Sequence, residues 1–438
     1  MADDNLVETL PTKELFVNVL TRDIRLEDAV LDLVDNCIDG AKRLHPNLSD
    51  RFDGRWVKIF CSGDEFRIQD NCGGINLDIA KNYAFRFGRD KRMARTPNSI
   101  GQFGVGMKRA LLRFGSEFTV TSTSKDDHFE LKVDVEKWLA TDDWHFQFSE
   151  VRQRRSGEEA GTDIVVRRLT EDARTRFPIS EFQTSLQAQL ERNTQEYLNN
   201  GIVIELNGSP INARPFDLQF SEDIVPAKIE KTYFENTPSP VFATFIVGIA
   251  PSSPSSAGWY ISCNGRIILS ADQSRLTGWD SIADDGVPKY HNQFSRFRGY
   301  LLLSSIDAGL LPWNTMKTGV NPDSPIYQDA RREMIALMRP VIDFLNRLDK
   351  ENDEEEGDRV LTGLVDSAKP MAFASVPRYS NSFQVVAPKT KPKPKTVSIQ
   401  FRRPKEEVEE LVDAMDANSA RHAAELAWEE AVGRYLDE

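Results

Sequence analysis

The chain has 438 residues, 40% hydrophobic and 28% charged, with a formal net charge of −13. That length exceeds one ordinary core, so two or three domains are expected, and the apolar content excludes a wholly disordered chain. The acidic balance argues against a surface that coats nucleic acid generally.

Four cysteines, Cys37, Cys61, Cys72 and Cys263, show neither C-x-x-C pairing nor histidines at zinc-site spacing, which fits reduced thiols. The N-terminal MADDNLVETL is acidic and lacks a basic leader region. No apolar run reaches the roughly 18 residues of a membrane span. A cytoplasmic protein with no membrane partner is expected.

In chain order, RLEDAVLDLVDNCIDGAKR at 25–43 predicts a helix with Val30, Val34, Cys37 and Ala41 on one apolar stripe. Asp32, Asn36 and Asp39 fall within an arc of about 60° on the opposite, acidic face and can converge on one ligand. Asn offers a neutral carbonyl oxygen suited to Mg2+, and a carboxylate four residues earlier can polarise a water for attack on phosphorus. Taken alone, an acidic helix face is more often simply solvated. Alternation predicts strands at 57–61, 66–70, 118–124 and 163–168.

IQDNCGGI at 68–75 ends a strand in Asp70 just before Gly73 and Gly74. Such a carboxylate can accept from an exocyclic amine, and the glycines let backbone approach a flat ring; a tight turn has the same composition. In SIGQFGVGMKRALLRFG at 99–115, Gly101, Gly104 and Gly106 lead into a helix. Its N-terminal amides, with Lys108, form a cradle for an anion.

A helical stretch at 178–199 and GIVIELNG lead into a mixed region ending near 348, read as a second domain. ENDEEEGD at 351–358 is a solvated acidic run, and 366–395 carries Pro, Ser and Lys without periodicity, as a linker does. TVSIQF at 396–401 predicts a strand, followed by helices from about Lys405 and near Ser419. Their apolar faces, with Val408, Leu411, Val412 and Met415, then Leu426, Ala427, Ala431 and Tyr435, need a second copy to be buried, because a piece of about 40 residues hardly folds alone. Lys389, Lys391, Lys393, Lys395, Arg402, Arg403 and Lys405 either hold DNA or keep a linker extended.

The three glycine- and acid-bearing elements in this order, followed by GTDIVV at 161–166, resemble the four motifs of the GHKL ATPases: gyrase B, the ninety-kilodalton heat-shock chaperone, histidine kinases and MutL. The resemblance implies an α+β Bergerat ATP-binding sandwich, a mixed sheet with helices on one face, and ATP and Mg2+ as cofactors. By it Asn36 holds Mg2+, Asp70 meets adenine, Gly101, Gly104 and Gly106 are lid glycines, and Thr162 lies on the adenine side. Asp39, Gly40, Gly74, Ile75, Ile100, Gln102, Phe103, Val105, Met107 and Lys108 belong to the same ATP-binding motifs. Asp32 replaces the family's catalytic Glu, and Cys72 replaces the first glycine of the strand-end motif. The shorter carboxylate implies slow hydrolysis.

FRFGRDK at 85–91 resembles a phosphate-side loop of the Microrchidia (MORC) branch, which adds Gly88 and Lys91 to the ATP-binding set. GWYISCNGRIILS at 258–270 and LLPWNTMKTGVNPDSPIY at 310–327 resemble the MORC transducer domain, of the ribosomal S5 domain 2-like α/β kind. That match makes Lys317 a catalytic lysine crossing to the γ-phosphate. The implied organisation is an ATP-binding domain over 1–175, a transducer-like domain over 176–350, a linker over 351–395 and a strand-helix-helix module over 396–438, similar to a ribbon-helix-helix dimer unit. The function implied is a clamp that forms a homodimer on binding ATP, hydrolyses it and acts on DNA. The alternative is a nucleotide-sensing scaffold or DNA-binding protein with negligible hydrolysis. A histidine kinase is disfavoured, because no histidine precedes the first motif.

Overall fold

The computed structural model describes residues 11–46, 51–88, 96–101, 104–213, 216–280, 287–314, 316–354, 358–386, 399 and 402–435. The chain divides into two compact units, Met1–Ala387 and Pro388–Glu438.

Helix α1 spans Leu26–Leu44, with Glu27 and Asp28 in its first turn and Lys42 and Arg43 in its last, each sign placed to suit the helix dipole. Val30, Val34, Cys37 and Ala41 are buried as the periodicity requires. The opposite face is not solvated: from Ala29 to Lys42 every residue is buried except Asn36. An ordinary surface helix buries one stripe, whereas α1 is covered on its acidic side too, by Ile100, Gly101, Arg109, Arg266 and Lys317.

The first sheet has eight strands: β1 Trp56–Cys61, β2 Phe66–Asp70, β3 Gly115–Thr123, β4 Asp127–Asp134, β5 Phe148–Gln153, β6 Gly161–Leu169, β7 Val203–Leu206 and β8 Ser209–Pro210. Their order is β5-β4-β3-β6-β2-β1-β7-β8. All neighbours are antiparallel except β1 and β7, which run parallel with Val57 opposite Ile204, so this sheet runs on past residue 175. Helix α2, Gly106–Phe114, packs on α1, and helix α3, Ser180–Asn193, touches both α1 and the second sheet. The resulting mixed sheet with helices agrees with the expected α+β class.

The second sheet comprises β9 Ala227–Tyr233, β10 Val241–Ile249, β11 Gly258–Cys263, β12 Arg266–Asp272 and β13 Phe297–Ser304, in the order β9-β10-β13-β11-β12. Asn264 at φ 49° and Gly265 at φ 85° join β11 to β12, the tight Asn-Gly hairpin turn that needs positive φ at both positions. Helix α4, Pro325–Lys350, covers β10 and β13 with Met334, Met338, Val341 and Phe344 buried.

Part of the expected linker is ordered. Helix α5, Val360–Ser367, buries Leu361 and Val365, and Lys369–Ala372 and Gln384–Val385 pair with Asp217–Phe220 and Ile224–Val225. Its buried apolar residues are too sparse for periodicity to reveal. The second unit holds helices α6, Lys405–Ala414, and α7, Ala420–Tyr435, packed on each other. Leu411, Trp428 and Tyr435 remain exposed. The strand expected over TVSIQF, and Lys389, Lys391, Lys393 and Lys395, lie outside the described residues, Ile399 apart. No described helix is long and apolar enough to cross a membrane.

Candidate functional site

A cavity of about 890 Å³ opens beside α1, a size that accommodates a small organic ligand. Its wall gathers Asp32, Asn36, Asp39 and Gly40 of α1, then Gly74 and Ile75 after β2, and Gly88. Gly101, Gly104, Val105, Gly106, Met107 and Lys108 come from the lid and α2, and Lys317 from the loop after β13. Asp70, Ile100 and Thr162 are not in the wall itself. Lys91, Gln102 and Phe103 lie outside the described residues.

Behind the wall, Asp70 ends β2 opposite Thr162 of β6. Its Oδ1 accepts from Cys72 N–H at 2.7 Å, and the Cys37 thiol hydrogen-bonds to the same carboxylate. Burial pushes the Asp70 carboxyl up, with those bonds acting against it. Thr162 serves the turn indirectly: its hydroxyl meets Ser122 Oγ at 3.1 Å, and Ser122 Oγ accepts from Ile75 N–H at 2.8 Å.

At the other end the cavity holds a knot of charge. Lys317 Nζ donates to Asp35 Oδ2 at 2.9 Å and Asp32 Oδ1 at 3.4 Å. Arg109 Nη2 donates to Asp32 Oδ2 at 2.8 Å and its Nη1 to Met316 Sδ at 3.1 Å. Beneath them, Arg266 Nε lies 3.7 Å from Asp35 Oδ1. Burial pushes the Asp32 carboxyl up, but Lys317, Arg109 and Arg266 outweigh it and hold it below its ordinary value. Burial likewise lowers Lys317, and the carboxylates of Asp35 and Asp32 more than restore it. Asn36, by contrast, is exposed beside this cluster.

Two residues expected at the ligand have other work in this conformation. Asp39 accepts from the main-chain N–H groups of Ile100 and Gly101, both at 2.7 Å, and so anchors the segment before α2. Lys108 Nζ donates to Ala84 O at 2.9 Å, and burial pushes its ammonium down to about 7 from 10.5. Between those values the unfolded chain binds more protons than the folded one, so this group's contribution to stability rises with pH over that window. Lys108→Met is expected to flatten the rise in urea midpoint between about pH 7 and about pH 10. An unchanged slope would show that burial of Lys108 is not its source.

The sequence reading passed over Asp35, Arg109, Arg266 and Lys42. Arg109 could have been found from its place next to Lys108 on α2; the role of Arg266 depends on how the second sheet docks. Among the described residues no group of three or more His, Cys, Asp and Glu side chains could hold a metal by itself. Mg2+ needs no such group, because it is commonly bound through one or two protein oxygens plus substrate phosphates and water.

No curated protein matches the chain. Residues 24–162, from just before α1 to the start of β6, match the model of the histidine kinase-, DNA gyrase B-, and HSP90-like ATPase family, which supports ATP binding, and ATPase activity at the general level, for this part of the chain.

Proposed function

We propose that the chain is an ATP-driven clamp: the cavity binds ATP with Mg2+, the lid orders over it, two copies pair as a homodimer, and hydrolysis releases them. The observation that carries this is Lys317, which lies 285 residues from Asp32 in sequence yet enters the wall of the cavity beside Asn36. A cation from the loop after β13 in the nucleotide cavity is the means by which the second sheet senses bound charge.

The residues suit the ligand. Asn36 presents an exposed amide for Mg2+, Gly74 and Ile75, which Asp70 and Thr162 support from behind the wall, would lie against adenine, and the first turn of α2 lines the cavity for phosphate. Arg109 and Lys317 add positive charge, and Mg2+ when bound neutralises phosphate charge. Asp32 held below its ordinary value is a weak base; it gains basicity as Lys317 leaves it, which supports slow, binding-dependent turnover.

In sedimentation, the molar mass is expected to double with Mg2+ and a non-hydrolysable ATP analogue but not with ADP. Asn36→Ala and Lys317→Ala are expected to stay monomeric. A mass that never changes overturns the clamp.

The cation-bound state of Asp32 favours a second reading, a nucleotide-sensing scaffold with negligible hydrolysis. Loss of a general base costs roughly 10²- to 10⁴-fold, and that loss is expected for Asp32→Asn in single-turnover assays; an unchanged rate would assign the scaffold. DNA as the client rests on the basic tail. Two of its described members already pair on α6, Arg403 with Glu407 and Lys405 with Glu409.

A further inference from the structure

Four consecutive residues at the entrance to the lid each have one main-chain group held by a side chain from elsewhere. Lys42 Nζ donates to Asn98 O at 2.7 Å, and Asn264 Nδ2 donates to Ser99 O at 3.0 Å. Asp39 holds the next two, the N–H groups of Ile100 and Gly101. Lys42 and Asp39 belong to α1, whereas Asn264 sits at the β11–β12 turn of the second sheet.

Asn264 is equally tied to its own side. Its Oδ1 accepts from Ser305 N–H at 2.9 Å and its Nδ2 also donates to Ser305 O at 3.0 Å. That pair of bonds fixes which end of the amide faces Ser99. Its main-chain carbonyl accepts from Lys42 Nζ at 2.8 Å and from the Tyr197 hydroxyl. Asn264, Ser99, Ser305 and Lys42 are all buried, so a broken bond leaves a poorly solvated polar group and each is costly to lose.

We infer that Asn264 is a positioning residue that couples the second sheet to the lid. A shift of the β11–β12 turn carries Ser99 with it, and with Ser99 the amides that Asp39 anchors. This route is separate from Lys317: it acts on the lid main chain, while Lys317 acts on the carboxylates of α1. It rests on the nucleotide reading only in treating this segment as a lid over a ligand.

Asn264→Asp in the full chain tests it. Asp tolerates the left-handed turn and keeps the acceptor for Ser305 N–H, but removes the Nδ2 donor shared by Ser99 O and Ser305 O, so the lid amides are read against the hairpin's own amides. In hydrogen exchange without nucleotide, the Ile100 and Gly101 amides of the variant are expected to exchange roughly tenfold faster than in wild type. Unchanged exchange there, or faster exchange confined to the hairpin, overturns the coupling. Asn264→Gly, which suits the same turn, takes its place should Asn264→Asp not fold. With a non-hydrolysable ATP analogue, wild type is expected to gain protection both in the cavity wall at 73–84 and in the hairpin at 260–268, and the variant in the wall alone. Full hairpin protection in the variant also overturns the coupling. Absence of wall protection in wild type counts against ATP binding instead, and the ligand-free comparison still decides on Asn264.

Discussion

Asn36→Ala is expected to weaken Mg2+-dependent ATP binding at least about a hundredfold, since even outer partners of a bound metal are worth ten- to hundredfold. Its stability should remain within about 0.5 kcal/mol of wild type, as for most exposed substitutions. The two halves of this expectation have different causes. Asn36 is the one exposed position between Ala29 and Lys42 on α1, so truncation opens no cavity. Alanine is moreover the better helix former by some tenths of a kcal/mol. Affinity, by contrast, loses the neutral oxygen that faces the cavity. Calorimetric titration with ATP, with and without Mg2+, reads the first half, and thermal unfolding the second. An affinity loss of equal size without Mg2+ would move Asn36 from the metal to the nucleotide. Unchanged binding would remove it from the site.

Gly74→Ala is expected to cost about 2–5 kcal/mol of stability, from left-handed strain together with overpacking. The glycine has φ 69°, and a Cβ there would lie 2.1 Å from Thr123 O and 2.6 Å from its carbonyl carbon. Backbone on both sides leaves no flexible side chain to yield. Because the next residue, Ile75, donates its N–H to Ser122, the displaced turn would also spoil the cavity wall, and nucleotide affinity should fall with stability. Gly157→Ala is the control: φ is 85° but nothing lies within 4 Å of its Cβ, so only the conformational cost of about 1 kcal/mol remains. Equal urea midpoints for the two variants would mean that the Thr123 contact relaxes at little cost.

Much of this was legible in the chain, for local reasons. The stripe Val30, Val34, Cys37 and Ala41 marks α1 because burial recurs at the helical period. Asp70 before two glycines marks a strand end followed by a positive-φ turn, and Gly73 and Gly74 adopt φ 92° and 69° there. The lid glycines run into α2 as their order suggests.

Other features depended on what packs where. Helical phase singled out Asp32, Asn36 and Asp39 as one polar face, yet only Asn36 is exposed; Asp39 is spent on two lid amides and Asp32 on two cations. Asp35, wholly buried, meets Lys317 across 282 residues of sequence. No periodicity reports such a pairing.

The sequence by itself determined α1, α2 and the turn after β2, together with the residue types able to meet a nucleotide, because these follow from side-chain period and backbone sterics within a few residues. Only the tertiary structure decided that β7 joins the first sheet beside β1, that Lys317 and Arg266 cover the acidic side of α1, and that Asn264 holds Ser99. The reason is that a buried charge or amide is stable only against a matched partner, and which partner arrives is settled by the docking of two sheets far apart in the chain.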